Sequence, residues 1–129
     1  MNSVATLLAI LATLGLGDAA WLMYRLDFHK AFFQRVQGSV LTVRILPAIL
    51  VYVLLAIALF LYAVQGADSL QDAALRGALV GFLMYGFYDA TNWATLTGWT
   101  GYMAVTDTLW GSLAGALAAT AGYWIMVKK

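Results

Sequence analysis

The chain reads as an all-α membrane protein, a four-transmembrane-helix bundle with a short interfacial helix in its first loop. Three observations predict this. Apolar residues make up 64% of its 129 positions and charged residues only 10%, where globular domains carry roughly a quarter charged. Apolar runs of about 20 residues, the length that crosses a bilayer, recur along it. The few charges sit between these runs or at isolated points within them, not along solvent-facing stripes. A single membrane domain, residues 1–129, accounts for the length. There is no cysteine, so neither a disulfide framework nor a thiolate metal site is available. A net charge of +1 gives no reason to expect nucleic acid as a partner.

The first span covers about 4–24, with Leu7, Leu8, Ile10, Leu11, Leu14 and Leu16 on all sides and Gly15, Gly17 and Asp18 late in the run. No Lys or Arg precedes it, so it is expected to stay as a span and not to act as a cleaved signal, which needs a positive start. Trp21, Tyr24 and Arg25 form an aromatic and basic edge of the kind found at lipid interfaces. The connection to Arg44 is the most hydrophilic stretch, carrying Arg25, Asp27, His29, Lys30, Arg35 and Arg44 among Phe28, Phe32 and Phe33. That mixture suits a short helix in the headgroup layer. His29 stands alone there and is expected to be solvated. The second span, about 45–64, opens at Pro47 and contains no charge, so it is expected to supply walls, not chemistry.

The third span, about 76–96, carries a small-xxx-small pair, Gly77 and Gly81, that invites close helix approach. At helical spacing Tyr85, Asp89 and Asn92 share one stripe, flanked by Tyr88 and Trp93. The fourth span, about 104–127, begins near Asp107 and Trp110 and continues as a ladder of Gly111, Gly115 and Ala119. These glycine-rich faces admit pairing with a second copy as well as packing inside the chain. Trp99, in the connection between these two spans, is expected at the lipid interface, and Lys128 and Lys129 suit a membrane-edge anchor.

Polar groups in a span must be offset by partners or by a task. Four spans alternate sides, which puts Asp18, Asp89 and Asp107 in the same half of the bilayer, the half nearest the Arg25–Arg44 loop. Aspartate is too short to reach water from that depth, and no Lys or Arg lies inside the spans. The three carboxylates are therefore expected to gather in one pocket with Trp21, Tyr85, Tyr88, Asn92, Trp93 and Trp110. Arg25, Arg35 and Arg44 would serve as headgroup-level bases, and four basic residues in that loop against three on the other side favour a cytoplasmic loop.

The run from Tyr85 to Thr95, Tyr-Gly-Phe-Tyr-Asp-Ala-Thr-Asn-Trp-Ala-Thr, resembles the signature of a bacterial family of small four-helix membrane proteins, domain of unknown function 2177. So do Asp107-Thr-Leu-Trp110-Gly111 and Asp18-Ala-Ala-Trp21. The resemblance extends over essentially the whole chain and implies a bacterial inner-membrane protein. It carries over no activity, ligand or catalytic residue.

Three classes of function stay open. Carboxylates among aromatic rings suit binding or movement of a proton, a cation or an amphiphile. The same carboxylates, as hard oxygen ligands, admit a divalent cation and hence an enzyme acting on lipid, with Asp18, Asp89 and Asp107 as metal candidates. The glycine faces admit a role as an assembly partner. Metalloprotease, hydrolase-nucleophile and nucleotide-binding motifs are absent, which places the enzyme reading behind ligand binding.

Overall fold

A computed structural model describes residues 2–128. It is all-α, with five α-helices among the described residues. Helix α1, Ser3–Tyr24, starts where the Asn2 carboxamide oxygen accepts the Ala5 N–H at 3.0 Å. Its interior threonines spend their hydroxyls locally, Thr6 and Thr13 each donating to the carbonyl four residues back at 2.8 Å. Neither hydroxyl is thus left bare against an apolar surround. Arg25 breaks the helix, and α2, Leu26–Gln37, follows at once and ends at Gly38, whose φ of +76° favours glycine. The hydrophilic connection is therefore a helix. Helix α3, Ile45–Leu59, runs on through one π turn, Phe60–Val64, closed by the Gln65 N–H on the Phe60 carbonyl at 2.9 Å.

Helix α4 spans Leu70–Thr95 and α5 spans Gly101–Val127. Helix α4 begins six residues before the expected start of its apolar run. The reason is local: Ser69 Oγ accepts the Asp72 N–H at 3.0 Å, and the Asp72 carboxylate accepts from the Asp68 N–H at 3.0 Å. These bonds cap a polar first turn that hydropathy alone leaves out. By length and composition, α1 and the continuous Ile45–Val64 segment are able to cross a membrane.

The tightest pairing joins α4 to α5, and glycines make it possible. Gly77 lies against Gly115 and Gly81 against Gly111; a Cβ on either α4 glycine would land on the facing carbonyl oxygen. So close an approach also brings the Ser112 hydroxyl of α5 onto α4, its Oγ donating to the Ala78 carbonyl at 2.9 Å. Both glycine pairs are thus buried within the chain. On the other flank of α5, Gly122 admits Ile10 of α1, and Leu14, Leu55, Leu59, Val64, Ala118 and Ala119 complete the core. The first half of α3 leans free of this core, leaving Leu46, Ile49, Leu50 and Val51 exposed.

Helix α2 folds back over the α4–α5 connection. Phe32 is buried against Trp99, ring centroids 5.1 Å apart at 83°, with Met103 and Ala104 beneath. Two expectations fail here. His29 is only 4% exposed, its Nδ1–H donating to the Arg25 carbonyl at 3.0 Å, because the aromatic face of α2 turns inward and carries the imidazole with it. Trp99, expected at the lipid interface, is 5% exposed because α2 covers it. Lys128 places its Nζ 4.6 Å from the Trp124 ring centre, and Lys129 lies outside the described residues.

Candidate functional site

Four residues share one level of the bundle by simple counting. Asp18 stands six residues before the end of α1, Asp89 six before the end of α4, and Asp107 six after the start of α5. Tyr52 stands seven after the start of α3. At ~1.5 Å per residue all four lie roughly 9 to 10 Å from the helix ends nearest α2. Helix geometry thus sets a polar layer before any side chain is placed.

Asp18 is fully engaged. The Tyr52 hydroxyl donates to its Oδ2 at 2.6 Å and the Trp110 indole N–H to its Oδ1 at 2.7 Å, tying α1 to α3 and to α5. Above it Trp110 stacks on Trp21, centroids 5.1 Å apart and planes at 1°. The Arg25 guanidinium in turn lies 4.9 Å from the Trp21 ring centre and 4.2 Å from that of Phe28. Arg25 also reaches the Tyr102 hydroxyl at 3.4 Å. The two acid-x-x-tryptophan segments therefore meet crosswise, the acid of α1 taking the indole of α5.

These groups line a cavity of about 400 Å³ between α1, the loose first half of α3, α4 and α5. Asp18 and Asp107 supply its carboxylates, Trp21, Tyr52, Tyr85, Tyr88 and Trp110 its rings, and Leu22, Val51, Leu55 and Met84 its apolar wall. No basic side chain is among the lining residues. The indole N–H of Trp21 has no partner.

The other expected site residues separate into two groups. Asp89 lies behind the cavity, 1% exposed, with neither carboxylate oxygen in a hydrogen bond. Its polar neighbours are the Asp107 carboxyl and the Trp99 indole, whose own N–H also lacks a partner. Asn92 is half-buried one turn past Tyr88 and does not line the cavity, and Trp93 is 55% exposed on a shallow groove on another side of α4. Arg35 sits over the Phe32 ring at 6.0 Å, and Arg44 precedes α3 without a side-chain cap bond; neither lines the cavity. Among the described residues no three His, Cys, Asp or Glu side chains converge to hold a metal ion.

Two contributors escape a reading of composition. Tyr52 sits in the most apolar run, where it looks like wall, yet depth counting places it level with Asp18. Trp99 follows a glycine in a connection and needs α2 above it to become buried.

An all-α protein with long helices, apolar outward faces and a buried acidic and aromatic layer is a membrane protein in class. The chain belongs to the DUF2177 family of predicted membrane proteins, whose family model matches residues 3–124. No curated protein and no solved structure matches it.

Proposed function

We propose that all four long helices cross the membrane and that the cavity binds an amphiphile with a cationic head group, admitted sideways from the lipid. The lengths support the first part: α4 and α5, at 26 and 27 residues, reach about 40 Å, more than the ~30 Å hydrocarbon layer requires. Their outward residues, Leu75, Leu79, Phe82 and Phe87 on α4 and Leu109, Leu113 and Leu117 on α5, are exposed and apolar. A water-soluble protein rarely leaves so extended an apolar surface uncovered. The hydrocarbon-embedded part of α4 then begins near Arg76, and the basic Arg25–Arg44 connection faces the cytoplasm of a bacterial inner membrane.

The observation that carries the ligand reading is the lining itself: two carboxylates and five aromatic rings with no basic group among them. Negative charge and ring faces attract a quaternary or protonated amine, and the leaning half of α3 leaves an apolar margin for its chain. A divalent-metal enzyme lacks a convergent ligand set here, and the glycine faces that would dock a partner are covered by one another.

Dodecyltrimethylammonium, added to protein in maltoside micelles, tests the reading through the fluorescence of Trp21 and Trp110. Saturable binding is expected, with a loss of about tenfold or more in affinity for Asp18→Asn, equivalent to ~1.4 kcal/mol. Equal binding of an uncharged amphiphile of the same chain length would overturn the proposal.

A further inference from the structure

We propose that Asp89 and Asp107 form a proton site that empties when a cationic group enters the cavity, so that cation and proton exchange. The inference rests on the ligand reading just given and deepens it. Its starting point is a buried carboxyl group with nothing to hold it: Asp89 is 1% exposed and neither oxygen accepts a hydrogen bond. The group facing it from α5 is another carboxyl, Asp107. The connection between the two helices adds Trp99, whose indole N–H is buried and unpartnered.

The remaining polar groups on this level bring no positive charge. Helix α4 itself supplies Tyr85 and Tyr88, α1 supplies Asp18, and α3 supplies Tyr52. The basic groups at this end are engaged or exposed elsewhere: Arg25 lies over Trp21 and Phe28, Arg35 over Phe32, His29 is bound to the Arg25 carbonyl, and Lys30 and Arg44 are exposed. An ionised Asp89 would have given up its hydration with only the Trp99 indole N–H near it as a donor and a second negative charge opposite. One proton between the two carboxyl groups removes a charge and supplies the missing O–H···O hydrogen bond.

Asp107 is what connects this pair to the ligand, because it lines the cavity while Asp89 lies behind. A cation drawn in by Asp18 and Asp107 supplies the positive charge that the proton had supplied. Both carboxylates then stay ionised, and the proton passes to bulk water. One positive charge enters and one leaves, so the buried layer keeps its net charge, the condition a low-dielectric site favours.

The test uses the full chain in maltoside micelles and dodecyltrimethylammonium, whose quaternary head has no proton to give. Calorimetric titration in two buffers of different ionisation enthalpy counts protons. About one proton should be released per cation bound, and affinity should rise with pH by up to about tenfold per unit. Asp89→Asn keeps the shape and has no proton to release, so both the proton release and the dependence of affinity on pH should vanish. Binding by the unaltered protein without proton release overturns the exchange and leaves the ligand reading standing, as does undiminished release by Asp89→Asn. No saturable binding at any pH overturns the ligand reading and the exchange with it. Should Asp89→Asn fail to fold, the proton count and pH slope of the unaltered protein decide by themselves.

Discussion

Asp18 shows how one short side chain fastens three helices. A carboxylate in an apolar layer is costly unless its lone pairs are met, and here a phenol from α3 and an indole from α5 meet one oxygen each. Removing the phenol donor therefore costs more than its own contact, since it leaves a charged acceptor short. Tyr52→Phe is expected to lower the midpoint of thermal unfolding in detergent, with a loss of about 1 kcal/mol, at the upper part of the range for polar pairs in membrane interiors. A midpoint equal to that of the unaltered protein would show that water replaces the phenol at no cost.

Helices pack here according to what their glycines allow. A methyl group at Gly81 or Gly77 meets backbone on α5, which cannot swing aside as a side chain can. Gly81→Ala should therefore unfold more readily by about 1–3 kcal/mol, the usual cost of overpacking. Gly15 on α1 has nothing within 4 Å of where its Cβ would sit, so Gly15→Ala should gain roughly 0.5–1 kcal/mol from helix propensity alone. Unfolding curves for the pair check both signs in one experiment. The polar first turn of α4, which the proposed topology leaves outside the hydrocarbon, gives a pH prediction. The Asp68 backbone N–H, and after it the Arg76 guanidinium at 2.9 Å, hold the Asp72 carboxyl below its ordinary range. A depressed carboxyl adds stability above its unfolded value of about 4, and that contribution is lost as pH falls through the lower folded value. Hydrogen-exchange protection of the Asp68 N–H, which donates to the Asp72 carboxylate, corrected for intrinsic rates, should fall in that acid range, and Asp72→Asn should show no such step.

At the scale of the whole molecule, the count of crossings decides everything about sidedness. The four crossings proposed above would put both termini on one side and α2 on the other, at the end of the bundle nearer the acidic layer. Single cysteines introduced at Gln37 in α2 and at Ala67 between the π turn and α4 should be labelled from opposite faces of sealed vesicles. Labelling of both from one face would leave α3 unable to cross and would remove the lateral entry to the cavity.

Composition and spacing by themselves determined the helical class, because apolar run length and the absence of strand alternation are properties of short sequence windows. Depth counting determined the level of Asp18, Asp89 and Asp107 as well, since rise per residue is constant along any helix. The glycine pairs were legible as close contacts, though not which glycine faced which. What only the tertiary structure decided is rotation and cover. Asp107 lines the cavity and Asp89 lies behind it although their depths agree, because helix–helix packing, not sequence spacing, sets which face turns inward. Tyr52 joined the site because α3 lies beside α1. His29 and Trp99 became interior residues because α2 folded over them, and a helix of mixed aromatic and basic residues does not announce in its sequence which of its faces will find a partner.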